Sequence, residues 1–262
     1  EQLIAESTGK EGKGIVPVAG EPLLPPGTYG NDRTFVYLRL EDDDNAETDA
    51  AVARLTSSRH PVVRLDLRDK YDLGAEFYRW EFATATAGSL LGINPFDQPN
   101  VQAAKDVAVS LMDEYQQSGA LPPAGATSSW QELASKARLG GYMAIMAYVQ
   151  PTVETDRALR ALRQRVSERY DIATTLGYGP RFLHSTGQLH KGGPNTGLFL
   201  QLTRGHQNDI PIPGEAYTFG VLAEAQAQGD LDALQTAGRH VAQVELESDV
   251  PAAIDRLTAE LA

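Results

Sequence analysis

Hydrophobic residues in this chain recur at two different spacings that alternate from one end to the other. FVYLRL (35–40) and PVVRLDL (61–67) are runs rich in β-branched residues, and AETDAAVARLTSSR between them repeats its apolar positions at helical spacing, which predicts a βαβ unit. LGAEFYRWEFATATAGSLLG (73–92) is too long for a strand and apolar on most sides, as expected of a helix buried in a large core. ALPPAGATSS (120–129) has the composition of a loop. Beyond it the pattern predicts strands at YMAIMAYV (142–149), IATTLGYG (172–179), GLFLQLT (197–203) and HVAQVEL (240–246). Helices are predicted at VETDRALRALRQRVSERY, in short form within RFLHSTGQLHKGG, in segments up to Ala237, and from Asp249 onward. Regular alternation predicts an α/β fold: a three-layer, doubly wound, mainly parallel sheet with a C-terminal α/β extension and ligands beyond the strand C-termini. The expected divisions are a first part of the lobe (1–119), a linker and helix (120–140), and a second α/β part (141–262).

The turn INPFDQPN (93–100) precedes another helix. Asp97 suits a cap and Pro99 suits a first turn, so the helix is expected to start near Gln98. Lys105 lies seven residues on, about two turns at 3.6 residues per turn, which puts its ammonium on the same face as the Gln98 amide. A solvated lysine is the ordinary alternative. RFLHSTGQLHKGGPNTG (181–197) crowds His184, Ser185, Gln188, His190, Lys191 and Asn195 into one segment. It reads either as a polar helix end and loop or as a site of proton transfer on a polyol, with histidines near neutrality. A spacing of six turns His184 and His190 onto different faces, so no metal site is expected. ESTGKEGKG (6–14) lacks the spacing of a phosphate loop and is expected to be flexible and cationic. Glu81 is either a satisfied structural carboxylate or a base with a raised pKa.

Charge and composition narrow the function classes. The 262 residues carry a formal net charge of −12, which argues against a general nucleic-acid surface, so an anionic small molecule needs a local cationic pocket. No apolar run approaches the roughly 20 residues of a membrane span. Without cysteine there is no disulfide or thiolate chemistry, in keeping with a cytoplasmic protein. The opening EQLIAESTGKEGKG has neither an initiator Met nor signal-peptide features and reads as an internal starting point.

The stretch Gly88 to Lys105, with Leu90, Leu91, Phe96, Asp97, Gln98, Val101 and Gln102, resembles the C-terminal signature of glucose-6-phosphate isomerases. ESTGK resembles their ES-x-GK segment, and HSTGQ resembles their HS-x-GQ helix. With LHSTGQLHKGGPNTG and the long tail, the chain looks most like the end of bacterial proteins that fuse transaldolase to this isomerase, over nearly its whole length. The resemblance implies a sugar isomerase (SIS) fold, no cofactor, a sugar-phosphate substrate, and a preceding SIS domain and transaldolase domain as partners, with a homodimer possible. It implies that Gln98 touches the sugar phosphate and that Lys105 assists ring opening and stabilises charge, with His184, Ser185 and Gln188 binding substrate. Proton transfer between C2 and C1 then runs through an enediol. Asn100 replaces the usual Gly or Ala, and HSTGQ follows the FDQ segment instead of preceding it. The places expected to hold the catalytic Glu are Gly177 and Gly192, which leaves His190, Glu81, Glu6 or Glu21 as the base, with His190 ranked first. The expected function is interconversion of glucose 6-phosphate and fructose 6-phosphate. The alternatives are a noncatalytic sugar-phosphate-binding domain, or an isomerase of another sugar such as mannose 6-phosphate.

Overall fold

The computed structural model describes residues 1–205 and 209–261, and for residues 101–104 the description stops at the backbone. In chain order it contains α1 (Gln2–Thr8), β1 (Phe35–Leu40), α2 (Ala46–Ser57), β2 (Val62–Leu67), α3 (Leu73–Leu91) and α4 (Val101–Ser118). There follow α5 (Trp130–Ala134), β3 (Tyr142–Tyr148), α6 (Val153–Tyr170), β4 (Ala173–Tyr178), a 3-10 turn (Arg181–His184), α7 (Gly187–Gly192), β5 (Gly197–Thr203), α8 (Phe219–Thr236), β6 (His240–Glu245) and α9 (Val250–Ala259).

The protein is α/β with parallel sheets, as its alternating pattern predicts, but the strands divide between two sheets. Among the described residues β1 and β2 pair only with each other, while the second sheet runs β4-β3-β5-β6, every neighbour parallel. Strand order reverses beside β3, the arrangement of a doubly wound sheet. Side chains alternate across β3 and sort its apolar run onto two faces. Met143, Ile145 and Ala147 pack with Leu159, Leu162 and Val166 of α6 and Ile254 of α9. Tyr142, Ala144, Met146 and Tyr148 pack on the opposite side with Phe182 and with Leu231 and Leu234 of α8. Helices therefore cover both faces of this sheet, giving three layers. The covering helices begin where the chain supplies caps: Thr152, Thr218 and Asp249 accept from Thr155, Val221 and Ala252 backbone amides.

Three local expectations are corrected. α3 has the expected length, yet Phe77, Tyr78, Phe82 and Leu90 are exposed, because it packs along α1 on one side and the four-stranded sheet does not reach it. α4 begins at Val101 instead of near Gln98, since Asp97 does not cap it. The Asp97 carboxylate instead meets Lys10 at 2.9 Å and accepts from Asn94 Nδ2 at 3.1 Å, and the Lys10 ammonium holds its pKa below the usual carboxylate range. ESTGKEGKG is not a flexible cationic loop. Its first residues finish α1, and Thr8 Oγ1 accepts from the Ile15 amide at 3.0 Å. Lys10 is 1% exposed.

Candidate functional site

The three segments that carry the sequence resemblance meet around one side chain. Gln188 of α7 is fully buried, with Nε2 donating to the Gly9 carbonyl and to Asn100 Oδ1, each at 2.8 Å. Its Oε1 accepts from the Asn100 amide at 2.9 Å. The ESTGK segment, the FDQPN turn and the HSTGQ helix are thus joined although they are distant in sequence. Lys10 adds a second tie, bonding both the side chain and the main-chain oxygen of Asp97. A glutamine with donors and acceptor all engaged by the protein is a fastener, so its expected contact with substrate is replaced by contacts with backbone and Asn100.

Gly192 lies at the same crossing and shows how tight it is. A Cβ there would stand 2.4 Å from Asn100 Oδ1 and 2.7 Å from both Gln188 Nε2 and the Gly9 carbonyl. At Gly177 a Cβ would meet Phe182 Cβ at 2.4 Å. Neither position has room for a carboxylate, because each glycine is where one backbone presses on another element. Gly192→Ala is expected to cost about 1–3 kcal/mol through forced repacking. Urea denaturation measures this, and an unchanged midpoint would mean that the crossing yields freely.

Beside the crossing, α4, α7, α8 and the 3-10 turn enclose a pocket of about 490 Å³. Lys105, His184, Lys191, Asp113, Gln116, Gln226 and Tyr217 supply its polar lining, and Val109, Met112, Leu183 and Leu222 are among its apolar walls. Packing of Leu111 and Met112 on Ala225 holds α4 against α8. Of the residues singled out from sequence, Lys105, His184 and Lys191 reach this pocket. Gln98 does not: it stands exposed in the turn before α4, so helical phase does not relate it to Lys105. Ser185 Oγ donates to the Phe182 carbonyl at 3.1 Å and closes its own turn. Val101 and Gln102 of the signature have side chains outside the described residues.

His190 is placed differently from its expectation. It is 3% exposed, surrounded by Phe199, Phe182 and Tyr142 with ring centroids at 5.1, 6.0 and 6.5 Å. Neither ring nitrogen has a hydrogen-bond partner among the described residues. Burial, and then the charges of Lys191 and Arg239, lower its pKa to about 3. It is a neutral core ring, not a group poised near neutrality. The other candidates for a base also separate by environment. Glu81 is exposed on α3. Glu21 pairs with Arg33 at 2.8 Å and accepts from Ser167 Oγ and from the amide and hydroxyl of Thr174. Glu6 is half-buried in α1 and accepts from Gln2 Nε2 at 3.1 Å. Sequence reasoning missed the pocket's Asp113, Gln226 and Tyr217, whose only signal was polarity on otherwise amphipathic segments.

Fold and pocket together define a parallel α/β protein with a cation-bearing pocket between helices. Part of the chain is similar to glucose-6-phosphate isomerases. That of Enterococcus faecalis is 30% identical over 147 residues, which cover 42% of this chain and 33% of the relative. That of Rubrobacter xylanophilus is 31% identical over a stretch of the same length. That of Exiguobacterium sibiricum reaches 45% over 67 residues, covering 26% of this chain. The chain thus matches about a third of the length of the first two relatives, and the similarity occupies less of the chain than its motifs imply. No protein-family model matches. The crystal structure of a hypothetical protein from Thermus thermophilus aligns with 98% of this chain and 72% of that one at a TM-score of 0.42 and 18% identity, a likeness at which neither fold nor function carries over. Among the described residues no helix is long and apolar enough to cross a membrane.

Proposed function

We propose that this chain forms the pocket-bearing C-terminal part of an aldose–ketose isomerase that interconverts glucose 6-phosphate and fructose 6-phosphate. The observation that carries the reading is the joining of the ESTGK, FDQPN and HSTGQ segments through Gln188, beside a pocket holding Lys105 and His184. Segments that resemble one family's motifs at three distant places have a common reason to lie together if they build one site. In this reading Lys105 stabilises the oxyanion that develops as the enediol forms, and His184 assists opening of the sugar ring. Glu6 is assigned as the base that moves the proton between C2 and C1. Among the four candidates it remains once the buried neutral ring of His190, the outward placement of Glu81 and the fully engaged carboxylate of Glu21 are set aside. The preceding SIS domain and the transaldolase fusion belong to the same proposal, with the remote phosphate held largely outside this chain.

The test is a coupled isomerase assay on the longer parent polypeptide that this reading implies, beside its Glu6→Gln variant. The parent is expected to convert fructose 6-phosphate, and the variant to lose about 100-fold or more in kcat with KM little changed, as for a removed general base. A folded parent that binds sugar phosphates without converting them would make the protein a noncatalytic binding domain. An active Glu6→Gln variant would return the base to another residue.

A further inference from the structure

Lys191 lines the same pocket as Lys105 and His184 but is held there in another way. Its side chain is 5% exposed, and its ammonium lies 2.5 Å from Oδ1 of Asp230 in α8, whose side chain is 0% exposed. Arg239 fixes the end of α7 by donating to the carbonyls of Lys191 and Gly193 at 2.5 and 2.7 Å. Burying two opposite charges stabilises a fold only when their remaining donors and lone pairs are also matched, and apolar residues of similar volume often serve stability as well or better. Here the matching is incomplete. Asp230 Oδ2 has no hydrogen-bond partner among the described residues, and the next acceptor for the ammonium, the Gly187 carbonyl, is at 3.5 Å. An ion pair poorly suited to stability alone nevertheless does something that apolar residues cannot: it fixes a charged donor, with N–H capacity to spare, on a residue that lines a cavity.

Asp230 also decides what this donor suits. Lys191 is already offset by a carboxylate, whereas Lys105 is exposed on the surface of α4 and has no carboxylate in direct contact among the described residues. Negative charge that develops on a substrate oxygen is therefore met by Lys105, and Lys191 is left to recognise neutral oxygens. We propose that Lys191 is a specificity-determining residue that donates to a hydroxyl of the sugar-phosphate substrate, and that Asp230 is the positioning residue that orients its ammonium. The proposal rests on the sugar-phosphate reading above and adds a residue and a substrate group to it.

The test measures the affinity of the longer parent polypeptide for glucose 6-phosphate and for inorganic phosphate by NMR titration. Lys191→Met is expected to weaken glucose 6-phosphate about 10-fold or more while changing inorganic phosphate by less than about twofold, since a lost charge-assisted contact affects only the ligand that makes it. Asp230→Asn should move the same ratio in the same direction, whereas a merely structural role would weaken both ligands together. Because Lys191→Met leaves a carboxylate buried without its partner, the double variant Lys191→Met/Asp230→Asn is measured alongside, with thermal unfolding as the check on folding. Folded variants that keep the wild-type ratio would overturn the role of Lys191 alone. A wild-type parent that binds inorganic phosphate but gains nothing from the sugar, or binds neither, would overturn the sugar-phosphate reading together with it.

Discussion

Replacing His190 by Leu is expected to remove a large part of the protein's sensitivity to mild acid. The folded ring has its pKa pushed down to about 3 by burial first and by the neighbouring Lys191 and Arg239 charges second. In the unfolded chain an ordinary histidine titrates near 6.5. The folded state thus binds the proton less readily than the unfolded state, so stability is fully present above about pH 6.5 and falls as pH drops through the window toward 3. Within that window the slope approaches about 1.4 kcal/mol per pH unit, which gives a loss of about 2 kcal/mol between pH 7 and pH 5 from this residue alone. Leucine fits the apolar setting of Phe182, Phe199 and Tyr142 and has nothing to protonate. Urea denaturation at pH 7 and pH 5 should show the wild type losing about 2 kcal/mol more than His190→Leu over that interval. Equal losses in the two proteins would mean that the ring takes up its proton in the folded state, which its aromatic surroundings do not permit.

Lys105→Ala in the longer parent is expected to lower turnover of fructose 6-phosphate about 100-fold or more, the usual effect of removing one preorganised group that meets developing charge. Its stability should change by less than about 0.5 kcal/mol, because the side chain is exposed on α4 and buries little. That contrast separates chemistry from folding: kcat comes from the coupled assay and stability from the urea midpoint. A folded variant with unaltered kcat would remove Lys105 from the reaction. What implicates Lys105 is the pocket it lines with His184, and not a helical phase shared with Gln98, which stands before the helix begins.

What the sequence determined by itself was the local grammar of this protein. The β-branched runs at 35–40 and 62–67, the apolar run of β3, and the capped helices after Thr152 and Asp249 are where periodicity and capping residues place them. These signals are legible because each depends on neighbours a few residues apart. The motif resemblance likewise drew attention to three segments that the fold joins through Gln188. Tertiary structure decided what depends on distant partners. Asp97 has the chemistry of a helix cap, but its carboxylate is paired with Lys10, and α4 starts at Val101 behind Asn100. The spacing of His184 and His190 separates their faces, but only the fold shows that His190 faces three aromatic rings and His184 a pocket. Gln188 looks like a ligand contact and is a fastener, since Gly9 and Asn100 arrive on either side of it. Lys191, in a segment that reads as a polar helix end and loop, is buried against Asp230 of α8. The environment of a polar side chain is set by whichever backbone and charge folding brings within about 3 Å of it, and the spacing of residues along the chain carries no record of that.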